Sequence, residues 1–122
     1  MIVMIVEGSE IILERLVVLT TEGNNVDIVH KASSFHEATK LLDTIKPGIA
    51  ILDMCLPQQK SVELFKIIRH ANRDTSFIIL FNFIDAVTCA QYEWLDADFV
   101  FDKYNDFDKI PAAINTIISK KT

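Results

Sequence analysis

Glycine and proline are scarce in this chain, three of each in 122 residues, and cysteine is scarcer still, with two. So few turn and breaker residues leave no composition for a linker, and one compact domain over residues 1–122 is expected. Cys55 and Cys89 stand 34 residues apart with no C-x-x-C spacing. That excludes a dithiol redox pair or a clustered zinc site and makes a reducing, cytoplasmic setting the expectation. Both thiols read as buried small hydrophobes. The three histidines, His30, His36 and His70, share no ligand spacing and read as solvated. Cations are outnumbered, 12 Lys and Arg against 17 Asp and Glu, for a net charge of −5. That balance argues against the basic face that phosphate backbones require, and direct binding of nucleic acid by this domain is not expected. The apolar opening run MIVMIV stops at Glu7 without a basic flank, too short for a signal peptide or a membrane span.

Half of the chain is hydrophobic, enough for one closed core at this length. Short apolar runs alternate with longer helical patterns. Residues 1–6, 26–30, 49–52, 77–81 and 99–101 read as five strands. Between them, Ser9 is placed to cap a helix carrying Ile12, Leu13, Leu16, Val17 and Leu19. Gly23-Asn24-Asn25 marks a loop. Ser34 and Glu37 have capping-box spacing ahead of Ala38, Leu41, Leu42 and Ile45. A third helix carries Val62, Leu64, Phe65, Ile67 and Ile68 and ends near His70. A fourth spans about residues 84–94. Asn105 or Asp106 is placed to cap the last, with Ile110, Ala113, Ile114, Ile117 and Ile118 as its buried stripe. Strands apolar on both faces, each followed by a helix, imply a parallel sheet covered on both sides. The expected fold is α/β, a flavodoxin-like (βα)5 sandwich with strand order 2-1-3-4-5.

Ligands of open α/β sheets sit at the carboxyl ends of the strands, where the winding direction reverses. Glu7 leaves the first strand and Asp53 the third, so two carboxylates should converge there. Pro57 stiffens the loop after Asp53. The fifth strand leads through Asp102 to Lys103. Two acids and a lysine suit a divalent cation or a phosphoryl group. The acidic loop Glu7-Gly8-Ser9-Glu10 lacks the hydroxyls and glycines of a flavin phosphate loop.

These residues resemble the receiver domains of bacterial two-component signalling, over nearly the whole chain. The resemblance rests on Ile5-Val6-Glu7, on Ile51-Leu52-Asp53-Met54-Cys55-Leu56-Pro57, and on Ala97-Asp98-Phe99-Val100-Phe101-Asp102-Lys103, with Lys103 standing 50 residues after Asp53. It implies that Asp53 accepts a phosphoryl group from a sensor histidine kinase or phosphotransfer protein, with no enzymatic activity beyond that autocatalytic transfer. It implies that Lys103 pairs with the phosphoryl group. Mg2+ would be held by Glu7, Asp53 and the backbone carbonyl of Cys55. The face made by the fourth helix, fifth strand and fifth helix, with Tyr92, Trp94, Phe99 and Tyr104, would serve a homodimer or an output partner.

The sequence departs from the family pattern around that pocket. The second acid usual after strand 1 is Gly8. The hydroxyl residue usual at the end of strand 4 is Phe81, and the aromatic usual three residues before the lysine is Val100. Two customary glycines are Ser61 and Asp96. Losing a direct anionic ligand weakens a magnesium site, and Phe81 offers no donor to a phosphoryl oxygen. The expectation is a receiver-like module acting by protein–protein contact, with impaired magnesium-dependent phosphorylation. The alternatives are a working receiver phosphorylated on Asp53 and a flavodoxin-like binder of small ligands.

Overall fold

The computed structural model describes residues 1–22, 26–81 and 96–121, with Gln59 described by its backbone alone. Five strands, β1 (Ile2–Val6), β2 (Ile28–Ala32), β3 (Ile49–Asp53), β4 (Ser76–Phe81) and β5 (Phe99–Asp102), form one sheet. Its order is β2-β1-β3-β4-β5 and every pairing is parallel. The direction of winding reverses between β1 and β3, as the alternation of the sequence requires.

Apolar residues alternate between the two faces of each strand, so the sheet divides the interior in two. Met4, Val6, Ala50, Leu52, Phe77 and Ile79 meet α2 (Phe35–Leu42) and α3 (Lys60–Ala71) on one face. Val3, Ile5, Ile49, Ile51, Ile78 and Leu80 meet α1 (Glu10–Thr21) and the C-terminal helix (Ile110–Lys121) on the other. The Phe65 and Phe77 rings pack with centroids 4.2 Å apart. The Arg69 guanidinium lies over both rings and donates to the carbonyls of Arg73, Thr75 and Asp96, which fixes the end of α3 to the start of β4. No helix among the described residues is long and apolar enough to cross a membrane.

Several local expectations shift. The second strand runs two residues later than residues 26–30, because the register pairs Ile2 with Ile28 and Val6 with Ala32. Being an edge strand, β2 tolerates Lys31, which reaches Glu14 at 2.6 Å. The Ser34 hydroxyl accepts from Glu37 N, but the Glu37 carboxylate accepts from Ser33 N and Ser33 Oγ, so the capping box closes one residue early. Asp106 does not cap with its side chain. Its Oδ2 accepts from Asp102 N, and a 3-10 turn, Phe107–Lys109, leads into the last helix. The Gly23-Asn24-Asn25 loop, the helix expected over residues 84–94, and Cys89, Tyr92 and Trp94 lie outside the described residues.

Candidate functional site

Three charged side chains from three strands meet at the carboxyl edge of the sheet. Glu7 follows β1, held there by its N–H donating to the Ala32 carbonyl at 3.1 Å. Asp53 ends β3, and Lys103 follows β5, its N–H donating to the Phe81 carbonyl at 2.9 Å. Glu7, Asp53 and Lys103 are 0 %, 2 % and 7 % exposed. Lys103 Nζ stands 2.9 Å from Glu7 Oε1 and 3.2 Å from Asp53 Oδ1. One ammonium thus answers two buried carboxylates, which leaves the cluster one negative charge in excess when all three are ionised. Glu7 Oε2 is buried with no hydrogen-bond partner among the described residues. Burial, and next the charge of Asp53, push the Glu7 carboxyl above its ordinary value, against the pull of Lys103 and of Ser9 N. For Lys103 burial is the largest single influence and acts downward, but the two carboxylates together outweigh it and the ammonium is raised.

The Asp53 carboxylate is aimed by backbone as well as by charge. Cys55 N donates to Oδ1 at 2.8 Å and Gly8 N to Oδ2 at 3.3 Å. Pro57 opens a 3-10 turn, Pro57–Gln59, in which Gln58 takes a left-handed φ of 59°. Cys55 is exposed rather than buried, since it stands on a loop whose amide is turned in toward the carboxylate. Ser61 ties this loop together. Its hydroxyl donates to the Asp53 carbonyl at 2.6 Å and accepts from Leu56 N at 3.1 Å, both contacts buried. Motif reading marked Ser61 only as a missing glycine. The available signal was a small hydroxyl eight residues past the loop's first acid, at the start of a helix. Ser61→Ala leaves the buried Leu56 N–H unanswered, with an expected cost of about 1–3 kcal/mol in urea unfolding. A loss below about 0.5 kcal/mol, the range of a neutral surface change, would remove the staple from the account.

Magnesium demands several well-placed oxygens in octahedral geometry. Glu7 Oε1 and Asp53 Oδ1 both face the Lys103 ammonium. Position 8 supplies no side-chain oxygen. Among the described residues no group of three His, Cys, Asp or Glu is placed to hold a metal ion. Gly8 is not required by its backbone, which is outside the left-handed region. A Cβ built there meets Asp53 Oδ2 and Leu56 Cδ2 at 3.8 Å each, ordinary contacts.

Of the two remaining positions, Phe81 meets the cluster through its backbone, its carbonyl accepting from Lys103 N. Phe81, half-buried, closes β4 with its backbone registered against Asp102, while Val100 on β5 is 38 % exposed. Neither offers a hydrogen-bonding side chain. Asp102 is buried, and its carboxylate shapes the turn that delivers Lys103, with Oδ1 accepting from Tyr104 N at 2.7 Å and Oδ2 from Asn105 Nδ2 at 3.1 Å. Tyr104 is 62 % exposed on that same edge.

The model of the response regulator receiver domain matches residues 3–115. No curated protein matches the chain. Among solved structures, the receiver domain of the Francisella response regulator 1452 is similar at 21 % identity, covering 99 % of this chain and 98 % of its own, with a TM-score of 0.81. The signal receiver domain of a DNA binding response regulator from Colwellia psychrerythraea gives 18 % identity, 97 % and 98 % coverage, and a TM-score of 0.83. A DNA-binding response regulator of the LuxR family from Staphylococcus aureus gives 21 %, 95 % and 97 %, and 0.81. At these identities the structures speak to the fold, which they share from end to end. The sequence model speaks to descent: the chain belongs to the response regulator receiver domain family of two-component signalling.

Proposed function

We propose that this receiver signals by protein–protein contact without the usual magnesium-dependent phosphoryl switch. The observation that carries the reading is the pairing at the site. Gly8 leaves the acidic pocket one carboxylate short, and the Lys103 ammonium bridges the two that remain. Phosphoryl transfer to a carboxylate depends mostly on positioning and charge neutralisation, and the group that would neutralise an incoming phosphate is already shared between Glu7 and Asp53. Phe81 and Val100, standing where a hydroxyl and an inward-turning aromatic would act, supply neither part of such a switch. Partner recognition then rests on the shape of the folded domain. The partners are a sensor histidine kinase or phosphotransfer protein, and a homodimer or output surface is available along the edge that carries Val100 and Tyr104.

One observation favours the second reading, a working phosphoacceptor. Asp53 keeps an aimed carboxylate, held by Cys55 N and Gly8 N. The two readings separate when the protein is mixed with millimolar Mg2+ and either acetyl phosphate or beryllium fluoride. The expected result is an unchanged intact mass and unchanged Trp94 fluorescence. A phosphoryl adduct that disappears in Asp53→Asn would sink the proposal and establish the working receiver.

A further inference from the structure

Beside the charged cluster lies a cleft of about 420 Å³ at the carboxyl ends of β1, β2 and β3, within the roughly 300–1,000 Å³ range of small-molecule sites. Its walls are Gly8, Phe35, His36, Leu56, Pro57, Gln58 and Lys60, with Ser33 and Ser34 at one side. Two features set it apart from the rest of the surface. First, in a chain of net charge −5 no acid among the described residues lines it. The Glu37 carboxylate, on α2, accepts from the N–H and hydroxyl of Ser33 at the side of the cleft. Second, its walls combine apolar side chains, Phe35, Leu56 and Pro57, with a cation. Lys60 Nζ lies 4.9 Å from the centre of the Phe35 ring and makes only a surface pair with Glu63 at 3.1 Å. Such a pair is weak enough to yield to a better anion.

The missing side chain at position 8 keeps this cleft open. A Cβ there would stand 3.8 Å from Leu56 Cδ2, so any longer side chain would project into the space beside Leu56. The cleft also lies where open α/β sheets bind ligands, at the carboxyl ends of strands flanking the reversal of winding. We infer that this cleft binds a small organic anion with a mostly apolar body: the body lies against Phe35, Leu56 and Pro57, and the anionic group faces Lys60. Asp53 is not among the lining residues, but its Oδ2 accepts from Gly8 N at the edge of the cleft.

The probe is 8-anilinonaphthalene-1-sulfonate, followed by its fluorescence, with N-phenyl-1-naphthylamine as the same body without the charge. Saturable one-to-one binding of the sulfonate is expected, with the neutral amine at least about tenfold weaker. Gly8→Leu should fill the cleft and Lys60→Glu should reverse its charge, each lowering affinity for the sulfonate at least about tenfold. Circular dichroism checks that both variants are folded, and Lys60→Glu, a surface change, keeps the test open if Gly8→Leu does not fold. Non-saturating fluorescence, or equal binding by both folded variants and the wild type, overturns the site. Equal affinity for the neutral amine overturns its anionic character.

Discussion

Replacing Lys103 by methionine is expected to cost about 3–5 kcal/mol of folding stability at neutral pH, the range for removing one partner of a buried ion pair. Methionine matches the length of the apolar stem but leaves Glu7 and Asp53 buried side by side with no cation. The loss depends on pH, and its sign follows from the shifts. Glu7 has a raised carboxyl in the folded protein, so ionising it works against folding from its ordinary value of 4.5 upward. Lys103 opposes that cost in the wild type. Without it the Glu7 carboxyl rises further, so the deficit of the variant should shrink as the pH falls toward 4.5 and grow above it. At the alkaline end the sign is the ordinary one for a raised ammonium. The wild type keeps the contribution of Lys103 below its ordinary 10.5 and loses it only as the pH passes through the higher folded value. Urea unfolding of both proteins between pH 4 and 9 measures the difference. A deficit under about 1 kcal/mol at pH 8, the size of an exposed pair, would show that the bridge contributes no more than a surface one.

The second large effect is a gain. Gly8→Asp should raise affinity for Mg2+ at least about tenfold, some 1.4 kcal/mol. The backbone there admits a side chain, and a Cβ makes only ordinary contacts at 3.8 Å. A third carboxylate beside Glu7 and Asp53 adds the oxygen that hard cations require. Without metal the same change should lower the melting temperature, because it adds a like charge to a cluster that already holds two acids and one base. Added Mg2+ should then restore the lost stability in the variant and leave the wild type where it was. Calorimetric titration of both proteins decides it. Equal affinities would mean that position 8 is not what limits metal binding.

Much of the architecture follows from periodicity alone. Strands such as IVMIV and IAILD are apolar on both faces, and only a parallel sheet between helix layers buries both. The convergence of Glu7, Asp53 and Lys103 follows from the same argument, since strand ends share one edge of the sheet. What periodicity does not carry is the direction of loop groups, which backbone hydrogen bonds decide. Cys55 reads as buried by residue type, yet it stands on a turn fixed by the amide that Asp53 captures. Ser61 looks like the loss of a glycine until its hydroxyl is seen between Asp53 O and Leu56 N. The Glu37 carboxylate closes on Ser33 and not on Ser34, and Asp106 Oδ2 accepts from Asp102 N and does not cap the helix. Lys103 reads as a partner for a phosphoryl group on Asp53, and the fold sets it against Asp53 itself. That it equally answers Glu7 depends on the burial of both acids.

The bridge made by Lys103 also bears on when the protein becomes whole. It joins residues 50 positions apart in one arm and more distant ones, Glu7 and Lys103, in the other. The Asp53 arm cannot close until β3, β4 and β5 are assembled, nor the Glu7 arm until β1 has joined β3, which places the bridge after the loop-closure entropy of the sheet has been met. Contacts absent from the folding transition state leave the rate of folding untouched and slow the rate of unfolding. The lysine at the end of the last strand is therefore a latch on the finished molecule: it lengthens the life of the native state without helping the chain to reach it.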